Sequence, residues 1–176
     1  MAENIWFSSD LHLNHENILT FESGVPGRAG VRPEFSNVEE MNEVLIERHN
    51  QYVKPGDKWY CLGDLGWKES LLDEQLKRMN GKKRLLLGNH DCYKMSFYMK
   101  HFQKIGLERR MEGLLFCHRP AFMAEHEAHI KGNVHGHIHE RNIDDKRYLN
   151  LSVEQTNYAP VNLDTILAHF KGIGLL

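Results

Sequence analysis

The sequence has little cysteine, no long apolar run and no excess of charge of one sign. Its three cysteines, Cys61, Cys92 and Cys117, are spaced too widely for a disulfide framework or a zinc-thiolate site. No segment approaches the roughly 20 apolar residues of a membrane helix, and the first ten residues lack the basic and apolar parts of a signal peptide. We therefore expect a cytoplasmic protein without disulfides and without membrane contact.

Positive charge is scarce as well. The chain has 22 Lys and Arg against 24 Asp and Glu, a formal net charge of −2. Proteins that hold nucleic acid across their surface usually carry a basic field, so stable nucleic-acid binding is not expected. The basic cluster Lys82-Lys83-Arg84 stands at the start of a predicted strand, and we interpret it as a solvated edge.

Histidine, in contrast, is abundant, with 12 in 176 residues. Its side chain titrates near neutrality and is the commonest metal ligand. His126 and His129, three residues apart, are expected on a solvent-facing surface. The length and an apolar content of 41% predict one globular domain over residues 1–176, without a cap domain.

Strands alternate with helices along the chain, which predicts an α/β fold. Ser36 and Glu39 form a capping box before the first helix, and Asn162 caps the last one. The predicted strands cover 5–9, 59–62, 84–87, 114–117, 132–134 and 148–153, and the predicted helices cover 38–51, 69–79, 96–102 and 163–170.

Potential metal ligands follow five of the predicted strands. Residues that come just after neighbouring strands meet at the carboxyl edge of an α/β sheet, so we expect these side chains to converge. Asp10 and His12 are two residues apart and would share one face of an extended chain, as would His137 and His139. The predicted ligands are Asp10, His12, Asp64, Asn89, His118, His137 and His139.

Seven ligands are more than one tetrahedral ion needs. Two ions about 3.5–4 Å apart would use them all if one carboxylate bridges the pair. Oxygen and nitrogen donors without thiolate suit Mn²⁺, Fe, Zn²⁺ or Ni²⁺, and ligand identity does not choose among these four, so we take two divalent ions as the expected cofactors. Such a pair activates water and clamps both oxygens of an in-line displacement at phosphorus, so phosphoester hydrolysis is the expected reaction.

Five motifs occur along the chain: Asp10-x-His12, Gly63-Asp64-x-Gly66, Gly88-Asn89-His90-Asp91, His118 and Gly136-His137-x-His139. In this order they resemble those of the calcineurin-like metallophosphoesterase superfamily. The stretches 10–18 and 32–42 are similar to its small prokaryotic and phage-type branch. The resemblance implies a four-layer α/β/β/α sandwich, with two β-sheets face to face and helices on the outer faces. It also implies a phosphoesterase that hydrolyses phosphodiesters or phosphomonoesters through a metal-bound hydroxide.

The resemblance assigns a role to each motif residue. His90 is the implied proton donor to the leaving oxygen, or a stabiliser of charge on the transferring phosphoryl group. Asp91 is expected to orient the His90 ring, or alternatively to cap the helix that follows. By the same resemblance Asp10, His12 and His139 hold the first ion, Asp64 bridges, and Asn89, His118 and His137 hold the second.

Three further residues are candidates for substrate binding. His15 and Asn17 lie just beyond the first ligand pair and either touch substrate or belong to a solvated loop. Arg32 is either a bidentate phosphate clamp or a surface arginine before Pro33.

The substrate and the oligomeric state stay open at this point. A cleft without a cap domain would admit small aryl phosphodiesters, nucleotides, nucleic-acid ends or phosphopeptides. One alternative function is a metal-dependent nuclease of the same chemistry. Another is a noncatalytic protein-binding scaffold that keeps the fold, which the presence of every ligand and of His90 disfavours.

Overall fold

The computed structural model describes residues 4–123 and 129–176, and the predicted surface residue His126 lies outside these ranges. The described residues form two β-sheets and four α-helices. The strands are β1 Ile5–Ser8, β2 Lys58–Cys61, β3 Lys82–Leu86, β4 Lys104–Gly106, β5 Glu108–Met111, β6 Leu114–Cys117, β7 Gly132–His135, β8 Tyr148–Asn150 and β9 Val161–Asn162. The helices are α1 Val38–Tyr52, α2 Glu69–Arg78, α3 Met95–His101 and α4 Leu163–Gly172.

The first sheet has the strand order β4-β3-β2-β1-β9, and the second has the order β5-β6-β7-β8. Strands β1 to β4 are parallel, and β9 runs antiparallel to β1. In the second sheet β6, β7 and β8 are parallel, while β5 is antiparallel to β6. Parallel neighbours place the carboxyl ends of β1, β2 and β3 at one edge, and those of β6 and β7 at one edge of the second sheet.

Two apolar clusters fix the layers. Helices α1, α2 and α3 pack on one face of the first sheet through a cluster that contains Leu45, Leu76 and Trp59. The other face of that sheet packs on the second sheet, where the Phe7 ring lies 4.5 Å from the Phe116 ring, centroid to centroid. The prediction of an α/β fold with two sheets face to face is thus confirmed. No helix in the described part of the chain is long and apolar enough to cross a membrane.

The N-cap of the first helix lies one residue later than the predicted capping box placed it. Asn37, not Ser36, is the N-cap, and its side chain accepts a hydrogen bond from the Glu40 backbone N–H at 2.8 Å. The Glu40 carboxylate, not that of Glu39, reaches back to the Ser36 N–H at 2.9 Å. Asparagine and serine are about equally good N-cap residues, so the residue type alone does not choose between Ser36 and Asn37. The predicted cap Asn162 is confirmed, because its side chain accepts from the Asp164 N–H at 2.9 Å.

Candidate metal centre

The loops that follow five strands lie side by side at one end of the molecule. The Asp10 N–H donates to the Gly63 carbonyl at 3.0 Å, which joins the loops after β1 and β2. The His137 N–H donates to Asp10 Oδ2 at 2.9 Å, which joins the second sheet to the first. The Gly136 N–H donates to the His118 carbonyl at 2.9 Å. The convergence expected from the strand ends is therefore present in the fold.

Six of the seven predicted ligands form two groups of three. In each group the potential ligand atoms all lie within 4.8 Å of one another. Asn89 joins the second group, because its Oδ1 lies 3.0 Å from His118 Nε2. We call Asp10, His12 and His139 the first triad, and Asp64, His118 and His137 the second triad.

Asp64 lies between the two triads. Its Oδ2 is 3.6 Å from His12 Nε2 in the first triad and 3.4 Å from His118 Nε2 in the second. His12 Nε2 is also 3.8 Å from Asp10 Oδ1. Ligand atoms that are each about 2.0–2.2 Å from a shared ion have separations of this size.

Several polar atoms of the first triad are buried without a hydrogen-bond partner among the described residues. They are Asp10 Oδ1 and both ring nitrogens of His12. A buried polar atom left without a partner costs about 1–3 kcal/mol, so native proteins rarely tolerate three in one place. Divalent cations bound by oxygen and nitrogen donors would satisfy Asp10 Oδ1 and one ring nitrogen of His12, and the residues present fit two of these ions.

Five of the ligands have a left-handed backbone, with φ of 58° at Asp10, 50° at His12, 56° at Asp64, 69° at His137 and 50° at His139. This conformation is uncommon outside glycine, costs about 1–3 kcal/mol per residue, and clusters at functional sites. The sequence suggested that an extended chain places Asp10 and His12 on one face. The backbone at both residues is left-handed instead. Left-handed turns direct them inward.

Glycines let the ligand loops approach one another. A Cβ on Gly136 would lie 1.9 Å from Ser9 Oγ and 2.2 Å from Asp10 Oδ2. A Cβ on Gly88 would lie 2.2 Å from Asp64 Oδ1. These contacts are to protein atoms, so the glycines accommodate the neighbouring loops.

The carboxylates of the site stay ionised. Burial by itself would raise the pKa of Asp10, but contact with His12 and the charges of His118 and His139 hold it well below its ordinary value. Burial likewise opposes ionisation of Asp64, and His118 lowers its pKa. Burial lowers the pKa of His12, which keeps a ring lone pair available as a ligand.

Hydrogen bonds behind two of the histidines fix their tautomers. His118 Nδ1 lies 2.9 Å from the Leu62 carbonyl, which only accepts, so Nδ1 donates and Nε2 faces the site. His139 Nδ1 lies 3.0 Å from Glu154 Oε1, which is also an acceptor, so here too Nδ1 donates and Nε2 faces the site. Burial lowers the pKa of both rings, but the carboxylates of Asp64 and Glu154 raise it above the ordinary value.

Arg32 is not a phosphate clamp and not a surface residue. It is 0% exposed, and its Nε donates to Glu154 Oε1 at 2.7 Å. Its other nitrogens donate to the backbone carbonyls of Asp10 and Leu11. The prediction for Arg32 is wrong because the buried Glu154, which contacts His139, requires a cation beside it.

Asp91 also differs from its predicted role. Its carboxylate accepts hydrogen bonds from three backbone N–H groups, those of Asp64 at 2.9 Å, Leu65 at 3.0 Å and Gly88 at 2.8 Å. It therefore ties the loop after β2 to the loop after β3 and does not use these oxygens on the His90 ring. The alternative is wrong too, because Lys94 is the N-cap of α3. Burial raises the pKa of Asp91.

His90 lies at the solvent-exposed edge of the metal site. Its side chain is exposed, its backbone N–H donates to Asp64 Oδ1 at 2.9 Å, and its ring centroid is 5.8 Å from that of His12. His15 stacks on Trp67 with a centroid distance of 4.0 Å, and burial next to His12 lowers its pKa to about 4. Asn17 is exposed in the 3₁₀ turn Glu16–Leu19.

Two residues that support the site, Ser152 and Glu154, were not predicted from the sequence. Ser152 donates from Oγ to Asp10 Oδ2 at 3.0 Å, and Glu154 supports His139. A depression of about 300 Å³ opens beside the second triad. Asn89, His118 and the exposed Arg119 are among the residues that line it.

The fold and the two triads thus define a two-sheet α/β protein with a candidate dinuclear metal centre. No protein-family model matches the chain. It is 33% identical over 175 residues to "Uncharacterized protein MJ1445" of Methanocaldococcus jannaschii, an alignment that covers 93% of this chain and 89% of that protein. The chain therefore belongs to the same family as MJ1445.

Two other similarities are more limited. The chain is 30% identical over 100 residues to "Gene 66 protein" of Mycobacterium phage L5, which covers 50% of this chain and 40% of the phage protein. The crystal structure of "the protein of unknown function AQ665" from Aquifex aeolicus superposes with a TM-score of 0.69 at 24% identity. That match covers 94% of this chain and 98% of AQ665, and it shows a shared fold.

Proposed function

We propose that this protein is a dinuclear-metal-dependent phosphoesterase with the four-layer sandwich of the calcineurin-like metallophosphoesterase superfamily. The observation that carries the proposal is the position of Asp64 Oδ2, which lies within 3.6 Å of a histidine nitrogen from each triad. The order of the motifs in the chain supports the assignment to the superfamily, as do two sheets face to face with α1, α2 and α3 outside.

In this proposal the first triad holds one ion, the second triad with Asn89 holds the other, and Asp64 serves both. When bound, two divalent ions lower the pKa of water and neutralise charge on phosphoryl oxygens. Mn²⁺ is the first candidate, followed by Fe, Zn²⁺ and Ni²⁺. The three free thiols suit a reducing compartment, and we propose the cytoplasm.

The exposed residues next to the metal site act on the substrate. His90 is exposed while its backbone is held by Asp64, so a ring nitrogen can give a proton to the leaving oxygen without displacing a ligand. Trp67 lies 5.2 Å from the His90 ring, centroid to centroid, and limits its movement. Arg119 lines the depression beside the second triad and can pair with an anionic part of the substrate.

The open site favours small phosphoesters or phosphopeptides over nucleic acid. The site is open beside the second triad, so a phosphodiester or phosphomonoester can approach from solvent. The net charge of −2 gives no extended basic surface for a nucleic-acid chain.

Hydrolysis of a chromogenic aryl phosphodiester with added Mn²⁺ tests the proposal. We expect His90→Ala to lower the rate about 10²- to 10⁴-fold, the contribution of a positioned proton donor, while elemental analysis still finds two ions per chain. His169→Ala, which changes an exposed histidine on α4, should match the wild type. Equal, background-level rates in the wild type and His90→Ala would instead favour a noncatalytic scaffold, and turnover confined to DNA would favour a nuclease.

A further inference from the structure

Three positively charged side chains surround one cavity where the chain passes from the first sheet to the second. Arg84 of β3, Lys104 of β4 and Arg109 of β5 line a space of about 180 Å³. None of the residues that line it is a candidate metal ligand. The remaining walls are Tyr60, Leu85, Leu86, Ile105, Gly106 and Glu108.

Arg84 is buried, although the basic cluster to which it belongs was expected to be a solvated edge. It is 8% exposed, and its guanidinium lies 5.4 Å from the centroid of the Tyr60 ring. Its Nη1 donates a hydrogen bond to the Lys82 carbonyl at 2.9 Å. Within the described ranges no carboxylate pairs with it, so its guanidinium, which lines the cavity, has N–H donors left for a ligand.

The neighbours of Arg84 add charge of the same sign. Lys104 stands directly beside Arg84 in the β3–β4 ladder, an arrangement that is unfavourable for like charges. Glu108 is the one acidic residue in the cavity lining, and its Oε1 accepts from Arg110 Nε at 3.1 Å. Three cations against one carboxylate leave an excess of positive charge around a partly enclosed space, and this charge attracts an anion.

We propose that this cavity binds a small phosphate-type anion. An arginine presents a planar fork that matches phosphate oxygens, and a lysine adds a point charge. The volume of about 180 Å³ suits one phosphate or pyrophosphate group and lies below the range of sites that enclose larger ligands. Lys104 and Arg109 are exposed at the entrance, so the group is either a free ion or the phosphate end of a larger molecule. The site does not depend on the metal centre or on the proposed activity.

Calorimetric titration of the full chain with inorganic phosphate tests the site, and the same strand supplies a matched pair of variants. Arg109 lines the cavity, whereas its neighbour Arg110 does not. We expect Arg109→Gln to weaken phosphate binding about tenfold, and Arg110→Gln to change it less than about twofold. Phosphate that binds only at the metal centre would give the same isotherm for all three proteins, which would overturn the proposal.

A second titration distinguishes the two sources of the anion. Glycerol phosphate that binds as well as inorganic phosphate, with the same dependence on Arg109, supports recognition of a phosphate end. Weaker binding of glycerol phosphate supports a free ion. A titration in which neither compound depends on Arg109 contradicts both.

The variant Arg84→Met tests whether Arg84 binds the anion or only stabilises the fold. Methionine keeps an unbranched apolar side chain and removes the uncompensated charge, so we expect the melting temperature in anion-free buffer to stay the same or rise. Added phosphate should then raise it less than in the wild type. A lower melting temperature for Arg84→Met, together with unchanged phosphate affinity in Arg109→Gln, would show that Arg84 only supports the fold.

Discussion

The two triads have the same kinds of ligand but different surroundings. The first triad is supported from behind by buried side chains, since Ser152 donates to Asp10 and the Arg32–Glu154 pair orients His139. The second triad is supported mainly by the backbone and opens to a depression beside Asn89. Similar ligand chemistry is therefore combined with unequal access to solvent.

This difference suggests a division of labour between the triads. The buried network fixes the ligand positions of the first triad, so less conformational freedom is lost when an ion binds there. The second triad can be reached from solvent and lies beside Arg119. We expect the first triad to hold its ion more tightly, and substrate to approach from the side of the second.

The largest effect is expected at the residue that the triads share. Asp64→Asn should remove both ions and lower the rate at least about 10³-fold, beyond the 10- to 100-fold typical of residues that only support ligands. Asp10→Asn should mainly lose the ion of the first triad, because Asp10 Oδ1 faces that triad alone. Elemental analysis and steady-state rates measure both variants, and equal losses of metal and rate would contradict a shared Asp64.

Steric changes at two glycines should affect the triads to different extents. Gly136→Ala places a Cβ 2.2 Å from Asp10 Oδ2, and Gly88→Ala places one 2.2 Å from Asp64 Oδ1. We expect each to lower the free energy of unfolding by about 1–3 kcal/mol and the rate about 10²-fold, because ligands are displaced. Metal content should fall by one ion in Gly136→Ala and by more in Gly88→Ala.

The matched control for both glycines is Gly172→Ala. Its new Cβ meets no atom within 4 Å, so its metal content and rate should equal those of the wild type. Retention of both ions and full activity in Gly136→Ala would show that the close approach of the loops is not needed for the first triad.

The sequence predicted the elements that carry periodic apolar residues or capping signals. Helices α1 and α2 and the strands around Phe7 and Phe116 belong to this class. Strands β4, β5 and β9 were missed because they are short, and three of the four residues of β5 are charged. An edge strand of this composition has no alternating pattern to detect.

The candidate ligands could be predicted because strand ends place them, whereas their supports could not. Arg32 and Glu154 are 122 residues apart, and each resembles a surface residue in the sequence. The partners of Asp91 are backbone N–H groups, which leave no trace in the identity of any side chain. Contacts between distant loops are properties of the folded chain alone.

A smaller effect is expected where the first triad is supported from behind. Glu154→Gln keeps the size of the side chain but removes the charge that faces Arg32 and His139. The ion of the first triad should bind about 10- to 100-fold more weakly, and that of the second should be unchanged. Glu43→Gln is the control, because Glu43 pairs with Arg78 at an exposed position. Equal weakening at both triads, measured by metal titration, would remove the distinction between them.

The smallest effect on the metal centre is expected at a buried histidine outside both triads, which separates loss of ligands at low pH from loss of the fold. His49 is 2% exposed, packs edge-on against Trp59, and has its Nε2 2.9 Å from the Asn80 carbonyl. Burial lowers its pKa from 6.5 to about 4. Between these values the unfolded chain binds the proton and the folded chain does not, so the free energy of unfolding falls as pH falls, by at most about 3 kcal/mol. Denaturant unfolding at pH 7 and pH 4.5 should show a smaller decrease for His49→Gln than for the wild type, and identical decreases would assign the acid sensitivity to the triads instead.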